Sequence, residues 1–199
     1  MNKQTGKRNS VRIIGGELRS RRITFSDGEG LRPTADRIRE TLFNWLQEQV
    51  GGARCLDLFA GSGALGFEAM SRGASALDVV EAEAGAVQAL RDNIHQLGLA
   101  HAAVHATKAQ TWIENNAGQS TPYDIVFLDP PYAMAILYPV CAMLQASHLL
   151  ADGCRIYIEN SDQLIPQSLP ANWELMKQKK SGQVYYYLFK VRAEDNSQL

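Results

Sequence analysis

The sequence predicts an α/β fold, with a mostly parallel sheet that has helices on both faces. Strand patterns alternate with helix patterns from residue 54 to residue 158, which is typical of parallel strands joined by helical crossovers. Two further strand patterns, at residues 173–179 and 184–190, predict an antiparallel C-terminal hairpin at one edge of the sheet. Two short apolar runs around Gly15 and Gly16 predict a small N-terminal β-hairpin, which a helix pattern follows.

The chain of 199 residues suits one compact domain with a small appendage. Residues 1–50 form the predicted appendage, a basic N-terminal extension made of a disordered head, the hairpin and a helix. The apolar residues of that helix share one face, and Thr34 is its expected N-cap. We expect the main domain to span residues 51–192 and a tail to span residues 193–199.

Each element of the main domain has its own apolar pattern. Short apolar runs predict strands, longer segments with helical spacing predict helices, and Gly73 and Gly98 mark two helix ends. Strands are predicted at residues 54–59, 76–80, 102–106, 124–128 and 154–158. Helices are predicted at residues 64–72, 83–97, 109–115 and 133–149.

Composition excludes several classes of protein. The hydrophobic fraction of 45% and the charged fraction of 21% are those of an ordinary globular protein, so extensive disorder is excluded. The longest mostly apolar run, at residues 133–144, is too short to span a bilayer, and the N-terminus lacks the apolar region of a signal peptide. The three cysteines are far apart, which argues against a disulfide scaffold or a zinc site. We therefore expect a cytoplasmic monomer with no membrane association and no metal.

Charge is unevenly distributed along the chain, although its formal net value is −1. Residues 1–40 contain ten Lys or Arg and five Asp or Glu, so a basic segment precedes an acidic body. Such asymmetry favours a polyanionic partner at the N-terminal end. Arginines that alternate with apolar residues on the predicted hairpin are candidates for binding nucleic-acid phosphates, although an edge strand protected by charge would show the same pattern. These arginines are Arg12, Arg19, Arg21 and Arg22.

A glycine-rich turn joins the first strand of the main domain to the first helix. The run from Gly61 to Gly66 fits the Gly-x-Gly-x-x-Gly pattern, in which the backbone approaches a bound nucleotide closely. Glu81, at the end of the next strand, can accept hydrogen bonds from both ribose hydroxyls. Asp57 would repel the pyrophosphate of NAD, whereas it can hold the ammonium group of S-adenosylmethionine, which carries no phosphate. The candidate cofactor-binding residues are Asp57, Phe59, Gly61, Gly63 and Glu81.

The sequence Asp129-Pro130-Pro131-Tyr132 follows the apolar strand predicted at residues 124–128. Two prolines fix an extended turn, and open α/β sheets bind ligands at the carboxyl ends of their strands. Asp129 and a prolyl carbonyl can accept the two protons of an exocyclic amino group, while the ring of Tyr132 can stack on a planar base. Such paired acceptors direct the nitrogen lone pair of guanine or adenine at a methyl group. These four residues are the candidate catalytic residues.

Together these motifs resemble the class I, Rossmann-like S-adenosylmethionine-dependent methyltransferases that act on amino nitrogens. The N-terminal half narrows the resemblance, because residues 12–16 and residues 31–45 are similar to the corresponding runs of the RsmD family. Members of this family are bacterial 16S ribosomal RNA guanine-N2 methyltransferases. The resemblance extends from about residue 11 to about residue 189, and its most specific part is the Arg-Pro-Thr…Asp-Arg…Arg-Glu run of residues 32–40.

The resemblance implies a reaction and a partner. A methyl group would pass from S-adenosylmethionine to the exocyclic N2 of one guanine in 16S ribosomal RNA, leaving S-adenosylhomocysteine. The RNA would be recognised in the small ribosomal subunit or in an assembly intermediate. Residues 51–192 would form the methyltransferase domain, in which residues 129–132 receive a flipped guanine.

The resemblance also assigns roles to single residues. Asp57 and two glycines of the turn would frame the methionine part of the donor, and Glu81 would hold its ribose. Lys108 stands near the donor's adenine, where many relatives have an acidic or amide residue, so the partner of the adenine amino group stays open. Four residues would lie near the mouth of the site, where they would serve RNA phosphate or the donor's carboxylate. They are Arg32, Thr34, Arg37 and Arg39.

Other functions remain open at this point. Pro-Pro-Tyr turns also serve DNA adenine-N6 and protein glutamine methyltransferases, although glutamine enzymes usually carry Asn before the prolines. We expect no target-recognition domain beside the methyltransferase domain, which argues against a site-specific DNA enzyme. An NAD(P)-dependent oxidoreductase using the glycine-rich turn is a more remote alternative, and a catalytically silent RNA-binding protein is another.

Overall fold

The structure is a computed structural model that describes residues 9–25, 34–118, 121–131 and 134–193. Within these ranges the chain forms five α-helices, nine strands and a short 3₁₀ helix at Pro166–Ser168. The helices are α1 (Asp36–Trp45), α2 (Ala64–Ser71), α3 (Ala84–Leu97), α4 (Ala109–Asn116) and α5 (Met134–Ala146). The strands are β1 (Asn9–Arg12), β2 (Arg22–Phe25), β3 (Arg54–Asp57), β4 (Ala76–Glu81), β5 (Ala102–Ala106), β6 (Tyr123–Leu128), β7 (Leu150–Asn160), β8 (Trp173–Ser181) and β9 (Val184–Val191).

The main sheet has seven strands in the order β5-β4-β3-β6-β7-β9-β8, and β1 and β2 form a separate hairpin. The strands from β5 to β7 are parallel, whereas β9 and β8 add an antiparallel pair beside β7. This architecture confirms the predicted α/β fold with its two hairpins. The carboxyl ends of β3, β4, β6 and β7 meet at one edge of the sheet, where such folds bind their ligands. No helix among the described residues is long and apolar enough to cross a membrane.

Two predicted boundaries are wrong for local reasons. Helix α5 ends at Ala146 rather than at residue 149, because His148 has a φ of 58° and the Ser147 hydroxyl donates to the carbonyl of Leu144. Strand β7 consequently begins at Leu150, four residues earlier than predicted.

The expected N-cap of α1 is also wrong. Ala35 occupies that position and makes no side-chain hydrogen bond to the helix. Thr34 instead donates its hydroxyl to Asp129, which lies 95 positions away in the chain. This hydrogen bond links the N-terminal extension to the end of β6, and it places Thr34 at the cavity, where the family resemblance puts it.

The core has one apolar cluster on each face of the sheet. The N-terminal extension belongs to the first cluster, since Ile13, Ile23 and Leu42 are fully buried beside Phe67 of α2 and Leu90 of α3. Burying an aliphatic side chain of this size stabilises the fold by roughly 1.5–3 kcal/mol. The extension therefore packs as part of the same hydrophobic core as the helices that follow it.

The fully buried carboxylate of Glu68 fastens the hairpin loop to α2. It accepts hydrogen bonds from the backbone N–H groups of Ile14 and Gly15, each at 2.8 Å, and from the guanidinium of Arg72, also at 2.8 Å. Gly16 has a φ of +76°, and a Cβ there would lie 1.7 Å from the carbonyl oxygen of Ser71. Close contact between the loop and α2 therefore requires glycine at this position.

Candidate active site

A cavity of about 600 Å³ opens at the carboxyl edge of the sheet. Its walls come from the loops after β3, β4, β5 and β6, together with Thr34. We call the part formed by the loops after β3 and β4 the glycine-turn side. The part formed by the end of β6 and Thr34 is the Asp129 side. The sequence-predicted residues that line the cavity are Asp57, Phe59, Gly61, Glu81, Lys108, Asp129, Pro130 and Pro131.

The glycine-rich turn takes the conformation that its glycines permit. Gly61 and Gly63 have φ values of 50° and 77°, and Gly63 is the N-cap of α2 in the left-handed region. A Cβ at Gly63 would lie 2.5 Å from the ring of Phe67 and 2.7 Å from Leu90. The turn can therefore fold tightly over the core while its opposite surface faces the cavity.

Asp57 ends β3 at the base of the glycine-turn side and is 2% exposed. Its Oδ1 atom is buried and has no hydrogen-bond partner in the part of the chain that the structure describes. Burial raises the pKa of this carboxyl to about 7, against a smaller opposing effect from the backbone N–H groups of Phe59 and Gly66. An unpartnered carboxylate oxygen beside a cavity is suited to a cationic ligand group, because the cation would offset the free-energy cost of burying the charged carboxylate.

Glu81 ends the neighbouring strand, β4, and also lines the cavity. Its Oε2 accepts the N–H of Gly61 at 2.9 Å, and its Oε1 accepts the N–H groups of Ala82 at 2.7 Å and Glu83 at 2.8 Å. A carboxylate has about four acceptor positions, so one stays available for a ligand hydroxyl. The three backbone donors hold the carboxylate in place before any ligand binds.

Asp129 follows β6 and defines the opposite side of the cavity. Its Oδ2 accepts the Thr34 hydroxyl at 3.4 Å. Its pKa is raised well above the ordinary value, mainly by burial and further by the negative charges of Glu159 and Asp57. Pro130 and Pro131 line the cavity beside it, as predicted, whereas Tyr132 lies outside the described residues.

Glu159, at the end of β7, was not among the predicted site residues. Leu128 of β6 pairs with Ile158 of β7, so Asp129 and Glu159 follow at the same level on neighbouring strands. Burial raises the pKa of Glu159, although the Tyr157 hydroxyl donates to its Oε2 at 2.9 Å. The signal was present in the sequence, because an acidic residue at the carboxyl end of a strand is the same pattern that identified Glu81.

The prediction that Arg39 contacts RNA is wrong. Its side chain is 0% exposed, and it donates to the carbonyls of Thr34 at 3.2 Å and Arg12 at 2.9 Å. It also pairs with Asp36 at 2.7 Å and lies 3.5 Å from the buried carboxylate of Glu68. Arg39 therefore joins the hairpin, α1 and α2, and it positions the backbone of the residue whose hydroxyl reaches Asp129.

The remaining candidate arginines of the described segments are exposed: Arg12, Arg19, Arg21, Arg22 and Arg37. Arg21 donates to the carbonyl of Gln96 in the last turn of α3, whereas the residues just before α3 line the cavity. With a rise of 1.5 Å per residue, these two ends of α3 are about 18 Å apart. Arg21 therefore lies far from this part of the cavity. Arg32 lies outside the described residues.

Histidine, cysteine and acidic side chains do not converge into a group of three or more that could hold a metal ion, as far as the described residues show. The three cysteines are buried and unpaired by disulfides. Burial raises the pKa of the Cys141 thiol to about 12, so this cysteine stays protonated at neutral pH.

The sequence and fold of this chain match those of known proteins. A family model described as "Conserved hypothetical protein 95" matches residues 11–190, which is most of the chain. The Ribosomal RNA small subunit methyltransferase D of Escherichia coli K12 is 42% identical over 187 residues, covering 94% of this chain and 93% of that protein. This chain belongs to the RsmD family. The resemblance inferred from the sequence is thereby confirmed.

Two further proteins are similar to this chain in sequence or in structure. The Ribosomal RNA small subunit methyltransferase D of Haemophilus influenzae is 37% identical over 180 residues, covering 90% of this chain and 93% of that protein. The solved structure of the Escherichia coli protein yhhF superimposes with a TM-score of 0.84 at 40% identity, covering 94% of this chain and 100% of that one. The whole fold, including the N-terminal extension, is therefore shared within the family.

Proposed function

We propose that this chain transfers a methyl group from S-adenosylmethionine to the exocyclic N2 of a guanine in 16S ribosomal RNA of the small ribosomal subunit. The observation that carries the proposal is that Asp57 and Asp129 lie on opposite sides of one cavity. Asp57 offers an unpartnered acceptor for a cation, and Asp129 begins a rigid Asp-Pro-Pro turn. The chain is an enzyme of the RsmD family, and its relatives are named for ribosomal RNA methylation.

The glycine-turn side fits the methyl donor. S-adenosylmethionine supplies a methyl group on a positively charged sulfur, which is a good leaving group. Asp57 would accept hydrogen bonds from the donor's ammonium, for which its Oδ1 has the free position. Glu81 would accept a ribose hydroxyl, since its carboxylate is already held by backbone donors. Phe59, Gly61 and Gly63 belong to the turn that would enclose the donor, and Lys108 lines the far end of the cavity.

The Asp129 side fits an amino group on a planar base. The Asp129 carboxylate would accept one N–H of the guanine amino group, and a prolyl carbonyl of the turn would accept the other. This arrangement orients the nitrogen lone pair toward the donor, which is the positioning that an in-line displacement needs. Tyr132 would stack on the base, as the sequence predicts.

A proton must leave the amino nitrogen as the new N–C bond forms. Asp129 is the candidate acceptor, because burial and the neighbouring Glu159 raise the pKa of its carboxyl. A carboxylate with a raised pKa binds a proton more readily than an ordinary aspartate at neutral pH. Thr34 donates to the same carboxylate and holds its orientation.

The N-terminal extension would contact the RNA outside the cavity. Arg12, Arg19, Arg21 and Arg22 are exposed on the hairpin and its loop, where they would bind phosphates of a large folded substrate. The substrate would be a small subunit or its assembly intermediate, and a cytoplasmic location follows from that substrate. We expect the enzyme to act as a monomer.

The test is transfer of labelled methyl from S-adenosylmethionine, followed by identification of the labelled nucleoside. Small subunits from a strain that lacks this enzyme are compared with naked 16S RNA, DNA and protein as acceptors. We expect label in N2-methylguanosine of 16S RNA. Label in N6-methyladenine of DNA, or in glutamine of a protein, would contradict the ribosomal assignment. Donor binding without label in any RNA would contradict it as well.

A further inference from the structure

The C-terminal hairpin carries a concentration of positive charge that the proposed reaction does not use. Residues 175–193 contain four lysines and one arginine and no acidic residue, in a chain with a formal net charge of −1. Three of the lysines, Lys177, Lys179 and Lys180, occupy the last half of β8, which is the edge strand of the main sheet. All three are exposed.

Strand register places these lysines beside the cavity. Glu159 of β7 pairs with Tyr186 of β9, and Tyr186 pairs in turn with Lys179 of β8. Since Asp129 stands at the level of Glu159 on the next strand, all four residues lie in one row across the carboxyl edge of the sheet. Strands are spaced by about 4.8 Å, so the Cα atom of Lys179 lies about 14 Å from that of Asp129.

The three lysine charges are available to a ligand, with Lys177 and Lys179 on the face of β8 that continues this row and Lys180 on the opposite face of the same edge strand. Lys177 and Lys179 form no ion pair with any residue that the structure describes, and Lys180 donates to the Tyr185 hydroxyl at 2.8 Å without a carboxylate partner. Lys180 also lies 4.4 Å from the centre of the Tyr185 ring. Lysines on an edge strand also protect the edge against aggregation, but they can do so at any position along the strand. Here the lysines cluster at the end nearest the cavity.

Arg21 of the N-terminal hairpin does not supply the same contact. Arg21 is fixed near Gln96 at the end of α3 that is about 18 Å from the cavity end of the helix. A guanine that enters the cavity brings its own phosphates to the cavity mouth, and these need cations there. The C-terminal hairpin has such cations at the carboxyl edge of the sheet, at the level of Asp129.

We propose that Lys177, Lys179 and Lys180 form a surface that binds the RNA phosphates flanking the target nucleotide. The RNA strand leaves the cavity past the end of β7 and crosses β9 to reach β8. This inference rests on the proposed function, since it names the part of the RNA substrate that this surface holds. The N-terminal hairpin then binds a more distant part of the same particle.

The test compares two sets of lysines on one hairpin. The triple variant K177Q/K179Q/K180Q removes the proposed surface. K190Q is the matched control, because Lys190 follows Tyr186 and Leu188 on the same face of β9 but pairs with Arg155, four residues before Glu159 on β7. At about 3.3 Å per residue, that position is about 13 Å further from the carboxyl edge.

Three quantities are measured for each variant: KM for small subunits over a range of salt, kcat, and the Kd for S-adenosylmethionine. For the triple variant we expect KM to rise about tenfold and the slope of log KM against log salt to decrease by about 2, because up to three phosphate contacts are lost. We expect kcat and the donor Kd to stay unchanged, and we expect K190Q to resemble the wild type. An unchanged KM, or an equal effect of K190Q, would overturn the proposal.

Binding of naked 16S RNA separates this proposal from the proposed function. If neither the wild type nor any variant methylates RNA, the proposed function fails. Filter binding of naked 16S RNA then still tests whether the three lysines bind RNA. Weaker RNA binding by the triple variant supports the surface, whereas unchanged RNA binding overturns it. If the triple variant loses affinity for the subunit but not for naked RNA at the same salt, the surface contacts ribosomal protein, which also overturns the proposal.

Discussion

The glycine-turn side of the cavity is built from neighbouring residues, whereas the Asp129 side is assembled from segments far apart in the chain. Glu81 is held by the backbone of Gly61, Ala82 and Glu83, so its partners lie within 20 positions. Asp129 depends on Thr34, which is 95 positions away. The two sides therefore respond differently to mutation: one contains its own support, while the other relies on the docked N-terminal extension.

The largest difference between the sides is expected for Asp129→Ala. We expect kcat to fall by about 10³-fold, because the variant loses both an acceptor for the amino group and the candidate proton acceptor. Donor affinity, measured by calorimetry, should change little, because the glycine-turn side is intact. Asp129→Asn is the informative companion, since it keeps an acceptor oxygen but cannot take up the proton. Equal loss of donor binding in Asp129→Ala would assign Asp129 to the donor instead.

Arg39→Met tests how strongly the docked N-terminal extension, on which the Asp129 side depends, stabilises the fold. The variant leaves the buried carboxylate of Glu68 without this cation, and breaking a buried pair costs about 3–5 kcal/mol. We expect urea unfolding to show a loss of this size in the free energy of unfolding. Arg37→Met is the matched control on the same helix, because Arg37 is exposed and should leave stability unchanged. Equal stability of the two variants would contradict the role assigned to Arg39.

Asp57→Asn should separate binding from stability on the glycine-turn side. Loss of the carboxylate should weaken donor binding about a hundredfold, since a buried charged hydrogen bond is removed. The folded-state pKa of about 7 lies above the ordinary value of 3.8, so the native chain holds its proton more tightly than the unfolded chain. The free energy of unfolding therefore falls as pH rises from about 4 to 7. Above pH 7 the destabilisation caused by the buried, ionised Asp57 is fully present. Removing the acid should raise Tm at pH 8 by on the order of 5 °C.

Donor binding should depend on pH through the same carboxyl. A cation binds the ionised form, so the donor association constant should fall roughly 20-fold between pH 7.5 and pH 5.5. Glu81 and Asp129 are the other acidic groups that face Asp57 in the cavity. Calorimetric titrations across this range are repeated with Asp57→Asn, in which the dependence should disappear. A dependence that persists in the variant would assign the titration to another group.

The contrast between the sides also explains what the sequence could predict. Asp57, the glycine-rich turn and Glu81 follow each other within one strand-helix-strand unit, so their spacing alone indicates a shared site. The roles of Thr34 and Glu159 depend on which strands become neighbours and on where the extension docks. Neither fact follows from local pattern, although the acidic end of β7 offered a signal.

Arginine shows the limit of charge patterns in the same way. Arg37 and Arg39 both lie in the basic N-terminal segment, and composition cannot distinguish them. In the structure Arg37 is exposed, whereas Arg39 is enclosed by carbonyls and carboxylates from three elements. Helical position separates them, since Arg39 follows the buried Ile38 on the inward face of α1. If helical periodicity is applied to the charged residues as well as to the apolar ones, it predicts that Arg39 is buried.

The smallest effect is expected for Thr34→Val, which removes one hydrogen bond from the Asp129 carboxylate. Its loss should lower kcat about fivefold, the value of one ordinary hydrogen bond. Because the Thr34 hydroxyl lowers the pKa of Asp129, its removal should raise that pKa further and move the acidic limb of the kcat/KM profile to higher pH. Thr34→Ser keeps the donor and should restore the wild-type limb. An unshifted limb in Thr34→Val would mean that the hydroxyl holds the extension in place without acting on the charge of Asp129.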